Sequence, residues 1–212
     1  MKMRSPVVTL PLSYFAGILI ILIYVIFTAV SFMNYPTSYS PLSNWLSDLG
    51  NYSRNPSGAI YYNIGMVLSG FIMVIFFIGY YKWFEGLRRR WTKILLGLAI
   101  ISGVAAGVSA ASVGLVSEDL GIIHTYLSIM IFLNFGDSLI FSTAALFTHP
   151  KFVRPIAYFS LVYLVVNYSL LLIVLLIMFQ YMLPSYYLLE WIDIGMLLAY
   201  VEMMAYNMRK FN

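Results

Sequence analysis

The chain has 212 residues, of which 62% are hydrophobic and only 9% charged, against about 25% charged in an ordinary soluble domain, and no soluble fold hides so much apolar surface. The absence of cysteine excludes disulfides, thiolate metal sites and thiol nucleophiles, and the formal net charge of +4 is not arranged as the basic stripe that nucleic acid requires. What remains is an all-α integral membrane protein: a spanning helix takes about 20 apolar residues to cross about 30 Å of hydrocarbon, so this length accommodates about six.

The first apolar stretch, residues 7–33, follows Met1-Lys2-Met3-Arg4. Ala29-Val30-Ser31 loosely resembles a cleavage site, but the run far exceeds the roughly 7–15 residues of a signal-peptide core and reads as a permanent span. The loop that follows, residues 34–58, is long for a bundle connection, and long ordered loops tend to be functional. Within it Ser40 can cap a helix, with Pro41 in its first position and Gly50 at its end. Leu42, Trp45, Leu46 and Leu49 follow i, i+3, i+4, i+7 spacing, with Ser43, Asn44, Ser47 and Asp48 opposite. This predicts a short amphipathic helix on the membrane surface or capping the bundle. Asn51-Tyr52-Ser53 is a glycosylation acceptor pattern.

The second span is expected at 59–81 and the third at 93–115, joined by a connection rich in Lys and Arg. In the third, Gly97, Ser102, Gly103, Ala106, Gly107, Ala110 and Gly114 recur at three- and four-residue spacing. Small residues let helices approach closely in lipid, which predicts packing inside the bundle or, alternatively, a surface for a membrane-protein partner or a second copy. Val116-Ser117-Glu118-Asp119-Leu120-Gly121 then echoes Leu46-Ser47-Asp48-Leu49-Gly50.

The remaining spans are expected at 122–147, 155–182 and 187–208, which completes one six-helix domain over residues 1–212. Lys82, Arg88, Arg89, Arg90, Lys93, Lys151 and Arg154, with Lys2, Arg4, Arg209 and Lys210 at the termini, then lie on one side. Only Arg54 is on the other. That asymmetry predicts a multi-pass protein of the cell membrane with both termini cytoplasmic.

Polar residues divide into two layers. At the outer level stand Asp48, Glu118, Asp119, Glu190 and Asp193, with His124 opening the fourth span; carboxylates and an imidazole can bind a cation, move protons or hold a polar headgroup. Glu190 and Asp193, three residues apart, share a helix face. Deeper lie Asn134, Asp137 and Ser138 on the fourth span, Asn167 and Tyr168 on the fifth and Glu202 on the sixth. Asp137 and Glu202 are each about 22 Å from the outer ends of their helices and should face the bundle interior. A Ser47, His124, Asp119 hydrolase set lacks a nucleophile elbow, and His124 and His149 are predicted on opposite sides, which argues against a zinc site. Phosphate-binding loops and nucleotide motifs are absent, so no cofactor and no metal are expected.

Asn44-Trp45-Leu46-Ser47-Asp48-Leu49-Gly50, Asn55-Pro56 and Tyr62-Asn63-Ile64-Gly65, continued by Gly114, Glu118-Asp119 and His124, resemble the prokaryotic membrane family catalogued as domain of unknown function 998. A more distant similarity is to autophagy-modulator membrane proteins and to a GPI-anchor lipid-remodelling protein, which share a Ser-Asp-x-Gly signature after the first span. The resemblance implies about six spans and one outer site containing Ser47, Asp48, Gly50, Asn63 and His124. The leading expectation is a pocket at the outer leaflet that binds or modifies a lipid or lipid-linked group, with membrane lipids as partners. In it His124 would act as acid or base, Asp48 and Asp119 would orient it or bind a cation, and Asn63 would donate a hydrogen bond. The alternatives are an accessory subunit without chemistry and a proton- or cation-coupled transporter that uses Asp137 and Glu202.

Overall fold

A computed structural model describes residues 11–179 and 186–211. Six long helices make up the bundle: α1 (Leu12–Met33), α2 (Ala59–Ile78), α3 (Arg90–Leu115), α4 (Ile122–Leu146), α5 (Arg154–Met178) and α6 (Tyr187–Met208). α2 continues as a 3-10 helix over Gly79–Phe84. Among the described residues there is no strand, as expected in hydrocarbon, where a spanning segment must satisfy every backbone group within itself. The first five helices are long and apolar enough to cross a membrane. α6 has comparable length, 22 residues, but carries Glu190, Asp193 and Glu202, which make it the least apolar. The expected start of the first span at residue 7, the end of the fifth at 182, and Lys2 and Arg4 lie outside the described residues.

Each helix packs against the next in the chain, most extensively from α1 to α4, and α6 closes the ring on α1. The close approaches are made where small residues meet. A Cβ on Gly107 would lie 2.9 Å from the carbonyl oxygen of Gly70, and one on Gly114 would lie 2.5 Å from that of Asn63, so the small face of α3 is packed against α2 within the chain. Gly97 faces open space. Ser13 donates to the Phe76 carbonyl (2.9 Å) and Ser138 to the Ala99 carbonyl (2.8 Å), joining α1 to α2 and α4 to α3.

The core fills with aromatic rings. Phe77 and Phe135 meet edge to face at 5.9 Å, and Phe135 meets Tyr200 in the same way at 5.9 Å. At the basic end, buried Trp83 stacks edge-on against His149 and Phe211. His149 donates from Nε2 to the Glu85 carbonyl (2.7 Å) and accepts the Lys151 N–H at Nδ1 (3.1 Å). Asn207 accepts the Val153 N–H and donates to the Lys151 carbonyl. These contacts bring the α2–α3 connection, the α4–α5 connection and the end of α6 together, so Lys82, Arg88, Arg89, Arg90, Lys93, Lys151, Arg154, Arg209 and Lys210 share one end of the bundle. Arg54 lies at the other.

Candidate functional site

The end opposite the basic cluster is roofed by the 34–58 loop, whose helix is not the continuous one that its periodicity suggests. Ser43 and Asn44 bond back to the Ser40 carbonyl (3.0 and 2.9 Å), and Leu42 donates its N–H to the Ser40 hydroxyl (3.2 Å). Trp45 is extended, and a 3-10 helix follows over Leu46–Gly50. Short polar side chains that bond to nearby backbone groups compete with a continuing helix, which is why the segment splits. Leu42 is 75% exposed, whereas Leu46 and Leu49 are buried.

The loop is fixed from below by a residue that amphipathic spacing does not flag. Asn55, fully buried, donates to the Leu49 carbonyl (2.9 Å) and the Ser31 hydroxyl (3.0 Å) and accepts the Gly58 N–H (3.1 Å). Its position before Pro56 was the only sign. Asn63, buried, donates to the Gly50 carbonyl (3.0 Å), so its amide holds the loop. Asn51 of the glycosylation pattern is buried and accepts the Arg54 N–H, while Tyr52 and Ser53 are exposed.

Charge at this end is organised around Arg54, which is ion-paired with buried Asp48 and lies 3.8 Å from Glu118 Oε1. Burial lowers the arginine's affinity for its proton, but Asp48 and Glu118 outweigh it and the net shift is upward. Burial pushes the Glu118 carboxyl up to about 7, with the charge of Asp48 adding and Arg54 opposing. Asp119 is exposed and clamps the two loops together: it accepts from Tyr52 N (2.6 Å), Ser53 N (3.0 Å), Ser53 Oγ (2.7 Å) and Ser117 Oγ (3.2 Å). Burial opposes its charge, but these bonds dominate and hold its carboxyl down at about 2. The two look-alike segments thus both form 3-10 turns, Leu46–Gly50 and Glu118–Leu120, which lie against each other.

Neither aspartate orients His124. The imidazole is 5% exposed, and its Nδ1 lies 2.7 Å from the Val116 carbonyl oxygen, which can only accept. Nδ1 therefore carries the proton, and Nε2 presents a lone pair. That Nε2 and the Oε2 of Glu118 are buried without a partner. Both residues line a cavity of about 210 Å³ with Trp45, Ser47, Thr125, Ser128 and Glu190. Its other wall is apolar: Phe132 of α4 and Leu170, Val174, Ile177 and Met178 of α5. A more enclosed cavity of about 50 Å³ shares Ser47, His124, Ser128, Phe132 and Glu190 with it and reaches inward to Ile20, Met73 and Leu197. Glu190 also accepts the Leu46 N–H at 2.5 Å, which seats the roof on α6.

The structure thus brings Ser47, Glu118, His124 and Glu190 to one cavity and assigns Asp48, Asp119 and Asn63 to its scaffolding. No Ser47, His124, Asp119 triad is assembled, because the imidazole's second nitrogen is held by a carbonyl. Although Asp193 is close in sequence to Glu190, it is fully buried instead, accepting from the Tyr163 hydroxyl at 3.3 Å beside buried Asn167. The deeper pair is not assembled either. Asp137 accepts from Tyr168 (3.3 Å), whereas Glu202 is exposed on the outside of α6, not in the interior, because Val201 and Met204 occupy the inward face. Asn134 bonds to its own helix at the Met130 carbonyl. Among the described residues no group of three or more His, Asp or Glu side chains is arranged to hold a metal ion.

A family model described as a protein of unknown function, DUF998, matches residues 18–206. No curated protein and no solved structure matches the chain.

Proposed function

The chain belongs to the DUF998 family, and from that premise we propose that it is a cell-membrane protein that binds a lipid, or a lipid-linked group, in the cavity beneath the 34–58 loop. The observation that carries this reading is the two-sided lining. Polar groups of Ser47, Glu118, His124 and Glu190 stand at one wall, and α5 supplies an apolar wall from Leu170 to Met178, about 12 Å long at the helical rise. That polarity matches an amphiphile with one polar end. The gathering of basic residues at one end supports, by the positive-inside rule, a cytoplasmic side there, and in this reading the cavity faces the outer leaflet and both termini are cytoplasmic.

The accessory-subunit reading has less support, because Gly107 and Gly114 of α3 are already in contact with α2. So has transport through Asp137 and Glu202, since Glu202 faces outward.

The test is mass spectrometry of lipids retained by the full chain purified in a mild detergent. Ser128→Trp should fill the cavity and abolish retention, while a lipid-facing change, Val165→Trp, should leave it intact. Equal retention by both variants, with both folded by circular dichroism, overturns the reading.

A further inference from the structure

The polar wall of this cavity carries unpartnered acceptors, beside the Ser47 and Ser128 hydroxyls, which can donate or accept. His124 Nε2 is an acceptor because the Val116 carbonyl holds the ring's proton on Nδ1. Glu118 contributes a buried carboxyl oxygen without a partner and Glu190 a second carboxyl, and a cation beside them favours the ionised, acceptor form of each. Thr125 has its hydroxyl proton directed to the Gly121 carbonyl (3.2 Å), which leaves lone pairs. Among the described residues lining the cavity there is no lysine or arginine, and the one arginine nearby, Arg54, is ion-paired with Asp48.

A phosphate or carboxylate placed there would meet two carboxyl groups and no cation to balance its charge. An ammonium group brings the opposite inventory, three N–H donors and no acceptor. It would satisfy buried acceptors that are otherwise costly to leave unpaired. Resting on the amphiphile reading above, we infer that the occupant's polar end is a primary ammonium carried on an apolar chain. His124, Glu118 and Glu190 accept the hydrogen bonds from its three N–H groups.

The experiment titrates the purified full chain in a nonionic detergent and follows the thermal unfolding midpoint, which a ligand of the folded state raises. The probes are phosphatidylethanolamine, its N,N-dimethyl derivative, phosphatidylcholine and phosphatidylglycerol, with dodecylamine against dodecanol to separate the ammonium from the glycerophosphate. Each methyl group removes one N–H donor without changing the chain. Affinity should fall along the methyl series, by about tenfold for each charge-assisted hydrogen bond lost. Dodecylamine should compete with phosphatidylethanolamine and dodecanol should not. His124→Phe and Glu118→Gln should flatten the series, and the series on the unaltered chain stands even if either variant fails to fold. Equal affinity along the series, or tightest binding of phosphatidylglycerol, overturns the ammonium assignment while leaving lipid binding intact. No shift with any amphiphile overturns both.

Discussion

His124 Nδ1 lies 2.7 Å from the carbonyl oxygen of Val116, the residue that caps the C-terminus of α3. A backbone acceptor in that position fixes the tautomer of a buried ring and aims its other nitrogen at the cavity. His149, at the far end, is held the opposite way, with Nε2 donating to the Glu85 carbonyl and Nδ1 accepting the Lys151 N–H.

The two histidines should therefore give opposite tautomers in nitrogen NMR of ring-labelled protein, His124 protonated on Nδ1 and His149 on Nε2. They are the only two in the chain, so His149→Gln assigns the spectrum. Finding His124 protonated on Nε2 would remove the acceptor from the cavity wall.

Asn55→Ala should destabilise the protein by about 1–3 kcal/mol, the usual cost of stranding a buried polar group. The Gly58 N–H loses its side-chain acceptor, and the Ser31 hydroxyl loses a donor. Thermal unfolding in detergent measures the loss, and hydrogen exchange should rise in residues 46–58 before it rises in the helices.

Stability should fall as pH rises through the Glu118 window. The folded carboxyl titrates at about 7 against an ordinary value of 4.5, so its contribution is complete below 4.5. The unfolded chain releases the proton first as pH rises, and the contribution is gone above about 7. Asp48 and Arg54 face the group from the loop, and His124 and Glu190 line the same cavity. Unfolding midpoints measured across this range should slope downward in the unaltered chain and less steeply in Glu118→Gln.

Two glycines of α3 should respond oppositely to alanine. At Gly107 the new Cβ would meet the backbone of Gly70 and Val74 at 2.9 Å, neither of which can move alone, and overpacking of this kind costs about 1–3 kcal/mol. Gly97 has nothing within 4 Å, so alanine there should be neutral or stabilising by up to about 1 kcal/mol through helix propensity. Comparable losses at both sites would argue that α3 is not seated on α2.

The long helices and the contrast between a basic and an acidic end were legible in the chain, because both follow from local composition: a run of apolar residues in lipid has no alternative to a helix, and the charged residues fall in the connections and at the helix ends. α6 runs from Tyr187 to Met208. Family membership was legible too, in the residues around Ser47, Asn63 and His124. How each helix is rotated about its axis, and which loop atoms sit beneath it, came from packing between elements distant in the chain. Three residues of α6 separate a carboxylate at the cavity from one sealed against Tyr163, and Glu202, which its depth alone suggested was interior, faces outward. Those outcomes depend on neighbours from α1, α4 and α5 that lie far away in the chain, and so do the unpartnered nitrogen of His124 and the clamp made by Asp119.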